Sequence, residues 1–377
     1  MILTQLKLQN FRNYGQAEVS FHTGNNVLYG RNGQGKTNIL ESIYYLALTK
    51  SFRTNNDKNL IISGKEFFRV WGELQTVQGR VHTCSIGYSS TDGKRLTYNG
   101  QKILKFSDYI GEIPVVLLAP SDLEISQNGP HKRRQFLDIM LSQAGKLYLH
   151  HLLQYRRSLK QRNALLQTGG GDKNLLESWE ESLIQNGIIL INKRIDAVET
   201  LNKFVKKHYQ ELSGGQDKVK IIYKSSLSLN SPAGAEPAYR AAFEKNRERD
   251  LLLGSTSIGP HRDDVLFLIN GEPLRNVGSQ GEHKTFVIAL KMAEFDFLQD
   301  IRNEPPILLF DDIFGELDAG RISNMIGSLS QIGQVFITTT SPHFFYKVKE
   351  WEGETFFHEI VEGTVSKQEK TWQKQSN

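Results

Sequence analysis

The stretch that most constrains this chain is NNVLYGRNGQGKTNILE, residues 25–41. Gly30, Gly35, Lys36 and Thr37 fill the pattern G-x-x-x-x-G-K-[ST]. In that pattern glycines let backbone N–H groups curl around phosphate oxygens, the lysine neutralises them and the hydroxyl binds Mg²⁺. The chemistry needs strand, loop and helix in that order. NNVLYG predicts a short buried strand, and after the loop Ile39, Leu40, Ile43, Tyr44, Leu46 and Ala47 recur at helical spacing. The helix start then aims its dipole and free amides at the phosphate. A bland glycine-rich turn is the competing reading, and the ordered context argues against it.

Two later stretches extend the reading. PILLFDDIFGELD sets Ile307 to Phe310 immediately before Asp311 and Asp312. A buried strand ending in acid at the carboxyl edge of a sheet is where a water-mediated Mg²⁺ ligand belongs, here Asp311; a helix N-cap is the alternative. Asp312 stands where a general base would polarise the attacking water. Aspartate is one methylene shorter than the usual glutamate, so slow hydrolysis is expected. In NVGSQGEHKTFVIALKMAEF, Ser279, Gln280 and Gly281 precede a helix striped by Phe286, Val287, Leu290, Ala293 and Phe297, whose first amides form an anion site. Taken alone, that stretch is an ordinary capped helix.

Composition bounds the class. A chain of 377 residues has room for two domains, and 38% hydrophobic with 23% charged residues is ordinary for a soluble globular protein. A single cysteine, Cys84, excludes an intramolecular disulfide framework and a cysteine-rich zinc site, which fits a reducing compartment. The N-terminus alternates like a strand and has no signal-peptide pattern, and the longest apolar run, in IPVVLLAP, is far too short to span a bilayer. A cytoplasmic location without membrane attachment is expected.

The net charge is +5, and residues 119–170 hold eight Lys/Arg against three acids. Lys132, Arg133 and Arg134 form its densest run, a patch suited to nucleic acid; a solvated helix face is the alternative.

Up to about residue 118 the chain runs in short alternating stretches with hairpin signals, predicting a β-rich lobe around the phosphate-loop helix. Residues 119–254 are mainly helical, with a strand near 217–226 left open between this arm and the head. From 255 to 377 strand and helix alternate, which predicts a mostly parallel sheet. The architecture expected is an α/β phosphate-loop head made from 1–118 and 255–377, with a helical arm inserted.

In this order the three motifs resemble the ABC-type ATPase heads of the SMC and Rad50 class. There the Ser-x-Gly helix of one subunit caps the γ-phosphate bound by its twin, so ATP glues a dimer. Gly278, Gln280 and Glu282 depart from the L-S-G-G-Q form, which weakens a transporter reading. The likeness narrows to the RecF family of bacterial recombination-repair proteins. It rests on LKLQNFRNY (6–14), GRNGQGKTNILESI (30–43), GPHKRRQFLD (129–138), GPHRDD (259–264), SQGEHKT (279–285) and LLFDDIFGELD (308–318), and covers essentially the whole chain. Ser121 and Gly315 are departures.

The resemblance implies an ABC-type head and assigns Gly30, Arg31, Asn32, Gly33, Gln34, Gly35, Lys36, Thr37 and Asn38 to the nucleotide loop. It assigns Thr37 and Asp311 to Mg²⁺, Asp312 to hydrolysis, Ser279 and Gly281 to the trans-cap and Asp318 to a dimer-contact loop. Thr340 falls at a switch position, with His343 as the other candidate. The implied activity is a weak, DNA-stimulated ATPase that binds duplex DNA and its junctions with single strands as an ATP-dependent homodimer. RecR is the implied partner, with functional links to RecO and to RecA loading at gaps. The rivals are a small-molecule kinase, which would turn over ATP as a monomer, a transporter ATPase subunit, and a scaffold that binds ATP without hydrolysing it.

Overall fold

Residues Ile2–Phe11 (β1) alternate buried Leu6 and Leu8 with exposed Lys7 and Gln9, the pattern of a strand with one wet face. The strand pairs antiparallel with Tyr14–Ser20 (β2). Asn25–Tyr29 (β3) is instead buried through Leu28, and it leads through the phosphate loop into Lys36–Leu48 (α1). Phe67–Gln75 (β4), Val81–Ser89 (β5), Gly93–Tyr98 (β6) and Gln101–Ile103 (β7) extend the antiparallel sheet in the order β2-β1-β4-β5-β6-β7. Val115–Leu118 (β8), buried at every residue, belongs with β3 to a second sheet. This computed structural model describes residues 1–170, 172–215, 217–227, 235–313, 333–340 and 355–370.

At Leu123 the chain enters a second compact unit, residues 123–210 and 215–290. It contains Leu123–Gln127 (α2), Pro130–Ala144 (α3), Lys146–Gln167 (α4) and most of Lys173–Ser213 (α5). Val219–Lys224 (β9), Ala235–Leu253 (α6), Asp264–Ile269 (β10), Glu272–Pro273 (β11), Leu274–Val277 (α7) and the start of Gln280–Arg302 (α8) follow. Here the structure departs from the expected boundaries. The strand near 217–226 pairs antiparallel with β10 in the small sheet β11-β10-β9, and residues 255–290 group with the helices. The burial of β10 explains this: Val265, Phe267 and Ile269 are buried while the residues between them are half-exposed, as in an antiparallel strand with one covered face.

The first unit resumes at Lys291, within α8. Ile307–Phe310 (β12) and Val335–Thr339 (β13), both buried throughout, complete a parallel core with β3 and β8. Thr355–Val361 (β14) adds to β3 in parallel and Thr364–Lys370 (β15) closes the edge antiparallel, giving β15-β14-β3-β13-β12-β8. Helix α1 packs against β4 and β5 of one sheet and β8 and β13 of the other, so nearly every side chain on it is buried. A helix apolar on all sides is stable only when covered on all sides. Among the described residues no helix is long and apolar enough to cross a membrane.

Candidate nucleotide-binding site

The phosphate loop joins the carboxyl end of β3 to the start of α1. Gly30 has φ +151°, and a Cβ there would lie 2.3 Å from the Ile360 carbonyl oxygen, so only glycine fits against β14. Gly35, φ +117°, caps α1 and would bring a Cβ within 2.9 Å of the Tyr14 hydroxyl. Between them Arg31, Asn32 and Gly33 are exposed and Gln34 half-exposed, leaving the outer rim of the loop open. Lys36 is buried, and its Nζ donates to the carbonyls of Gly30 at 2.7 Å and Arg31 at 2.9 Å. Burial pulls this ammonium below its ordinary pKa, against the attraction of the Asp312 and Asp311 carboxylates.

The end of β12 meets the loop directly. Thr37 Oγ1 donates to Asp311 Oδ1 at 2.7 Å, joining residues 274 positions apart. Thr338 Oγ1, from β13, donates to the same oxygen at 2.9 Å and accepts the Asp312 backbone N–H at 2.8 Å. Asp312 holds the left-handed conformation, φ +49°, which aspartate tolerates better than most residues. Sequence reasoning missed Thr338. Its one signal is a threonine next to the end of a buried strand; Thr340, proposed as the switch, lies exposed just past that strand.

Two hairpin turns brace the loop from its sides. Asn13, beyond β1, donates through Nδ2 to the Gln34 carbonyl at 2.9 Å and accepts from Asn38 Nδ2 at 2.7 Å, while Tyr14 OH donates to the Gly35 carbonyl at 3.1 Å. From the turn between β14 and β15, Glu362 N–H donates to Gln34 Oε1 and Gly363 N–H to the Gln34 carbonyl. One helical turn further, buried Glu41 takes Arg12 through two bonds, to Nε at 2.8 Å and NH2 at 2.6 Å.

Residues 2–361 match the family model for the RecF/RecN/SMC N terminal domain. The DNA replication and repair protein RecF of Streptococcus suis is 40% identical over 371 residues, 98% of this chain and 100% of the relative. The chain belongs to the RecF family. The protein of the same name from Streptococcus gordonii is 42% identical, covering 90% of this chain and 94% of its own. Among solved structures, that of the recombination mediator protein RecF-ATPrS in the RecFOR pathway superposes with a TM-score of 0.88 at 33% identity, over 97% of both chains. An Smc head domain from Pyrococcus furiosus matches with a TM-score of 0.58 at 15% identity, over 98% of this chain and 96% of that one, a likeness of fold. The RecF family fold here is that of an ABC-type ATPase head.

Other residues singled out in the sequence lie in the second unit. Ser279 is exposed and starts α8 as a capping box: Glu282 N–H donates to Ser279 Oγ at 3.3 Å, and Ser279 N–H donates to Glu282 Oε2 at 2.6 Å. That bond holds the Glu282 carboxyl below its ordinary pKa. Gly281 follows inside the first turn. Arg133 is a correction to the expected surface patch. It is buried, grips both Asp264 oxygens at 2.8 and 3.1 Å, and donates to the Asn128 carbonyl at 2.6 Å. Arg134 is half-buried and donates to the Asp263 carbonyl at 2.6 Å, and Lys132 pairs with Glu124 at 2.8 Å. Asp318 and His343 lie outside the described residues.

Proposed function

We propose that this protein is an ATP-dependent DNA-binding protein of recombinational repair and replication, with slow ATP hydrolysis as the switch on an ATP-induced dimer. The observation that carries the reading is the 2.7 Å bond between Thr37 and Asp311, which sets a loop hydroxyl and a strand-end carboxylate at one point. Relatives named DNA replication and repair proteins, and a neighbour whose structure is of RecF-ATPrS in the RecFOR pathway, support it.

On this reading the amides of residues 32–38 receive the phosphates, and Lys36 Nζ exchanges its two carbonyl partners for phosphate oxygens. Thr37 and Asp311 present hard oxygens, the donor set that suits Mg²⁺ arriving with a nucleotide. Bound there, Mg²⁺ would screen the phosphate charge as a Lewis acid. Asp312, its backbone held by Thr338, orients the attacking water; the short side chain favours slow turnover, stimulated when DNA is bound. The exposed Ser279 helix caps the nucleotide of a second copy, and Asp318 and Thr340 serve the dimer contact and the switch. Duplex DNA and its junctions with single strands are the substrate. RecR is the protein partner, with RecO and RecA acting at the same gaps.

Sedimentation with ATP, with ADP and without nucleotide tests this. The wild type is expected to dimerise with ATP alone. Lys36→Met should stay monomeric in all three and lose about tenfold to a hundredfold in ATP affinity, the worth of charge-assisted hydrogen bonds. Unchanged ATP affinity in Lys36→Met would remove the phosphate-loop assignment, and a wild-type monomer in ATP would remove the dimer.

A further inference from the structure

Four of the eight cations of residues 119–170 are tied up in ion pairs inside the arm. Arg133 pairs with Asp264 and Arg156 with Asp138; Arg162, fully buried, takes Glu180 and Asp250; Lys132 takes Glu124. Exposed Arg157 and Lys160 of α4 remain without an ion-pair partner among the described residues, and a denser run of unneutralised charge lies further along the chain. Between 203 and 224 the chain carries Lys203, Lys206, Lys207, Lys218, Lys220 and Lys224 against Glu211 and Asp217. All six lysines are exposed, and none has an ion-pair partner among the described residues.

The fold gathers three of them. Asn202 on α5 bonds Ile221 of β9 both ways, accepting its N–H at 2.7 Å and donating to its carbonyl at 2.6 Å. This fixes the strand against the helix. Lys206 stands one helical turn after Asn202, while Lys218 and Lys220 alternate with β9 residues that face the core, so all three line a single groove beside Leu268. Among the described residues the groove holds one acid, Asp217, whose carboxylate accepts from Asn270 Nδ2 at 2.8 Å. No described residue lining it is aromatic, which disfavours stacking of an unpaired strand.

Resting on the DNA-binding reading above, we propose that this lysine groove is where the phosphodiester backbone of duplex DNA docks. Each lysine that neutralises a phosphate releases condensed counterions, so the contact is readable as salt dependence. The test measures anisotropy of a labelled duplex against ATP-bound protein over a range of NaCl. The triple variant Lys206→Ala/Lys218→Ala/Lys220→Ala is compared with Arg157→Ala/Lys160→Ala, exposed cations of α4. The triple variant should flatten the log–log salt slope by about 2–3, at about 0.9 per phosphate contact, with ATP affinity and ATP-dependent size unchanged. The α4 variant should keep a slope near that of the wild type.

A triple variant with the full slope, while the wild type binds duplex, would overturn the groove alone, as would an equal loss in the α4 variant. A wild type that binds no duplex with ATP would overturn the DNA reading together with the groove. Preference for a single strand over duplex would overturn the choice of ligand.

Discussion

Thr338 ties the two acids that follow β12 to one hydroxyl. The side chain is buried, its proton goes to Asp311 Oδ1 and its lone pair takes the Asp312 N–H. Replacing it with valine keeps the shape and removes both bonds, leaving a partly buried N–H without its acceptor at a cost of about 1–3 kcal/mol. Thr338→Val should therefore lower the thermal midpoint and reduce kcat for ATP hydrolysis while changing nucleotide affinity little, because the phosphate contacts sit in the loop. Thr338→Ser should restore kcat. A kcat equal to wild type in the valine variant would show that the hydroxyl does not position the acids. Which of the threonines at 338–340 does this depends on the pairing of Phe310 with Ile337 across β12 and β13, which no local pattern states.

At the scale of the element, the start of α8 has two readings that one substitution separates. The capping box accounts for Ser279 and Glu282 without any ligand. Aspartate is as good an N-cap as serine, so Ser279→Asp keeps the helix start, yet it sets a carboxylate where a second copy's γ-phosphate would come. If the trans-cap is real, Ser279→Asp keeps monomer ATP affinity and thermal stability but loses the ATP-induced dimer in sedimentation. Normal dimers would leave only the cap. Helix α3 carries a parallel lesson: PHKRRQ looks like a basic surface run in one dimension, while one face of the helix turns Arg133 onto Asp264 of β10.

Across the whole molecule, acid should act on both units at once. His261 in the second unit is held neutral by burial, its pKa lowered to about 4; Nε2 donates to the Thr256 carbonyl and Nδ1 accepts from Tyr155 OH. His358 of β14 in the first unit is likewise lowered to about 4 by burial. Unfolded histidine titrates near 6.5, so between about 6.5 and 4 the unfolded chain binds more protons than the native one. Stability should hold above about pH 6.5 and fall as pH drops toward 4. Thermal midpoints across that range check the sign, and His261→Gln, which still donates and accepts, should flatten the fall. A midpoint that rises on acidification would contradict the burial of both groups.

What can be read directly from the residue string is whatever has local geometry. A phosphate loop is a short-range object: glycines for positive φ, then a lysine and a hydroxyl at a helix start, with a strand before and a periodic helix after. The acids ending a run of four apolar residues were legible for the same reason, and so was the helical character of the arm. Packing settles what depends on partners far along the chain. It gave β9 and β10 to the arm through antiparallel pairing and brought Thr338 to Asp311 through sheet register. It also sorted the cations, because a guanidinium is a surface charge or a buried tether according to whether a carboxylate from another element arrives beside it. Composition counts Arg133 and Lys206 alike. Only burial separates them, and burial is a property of packing.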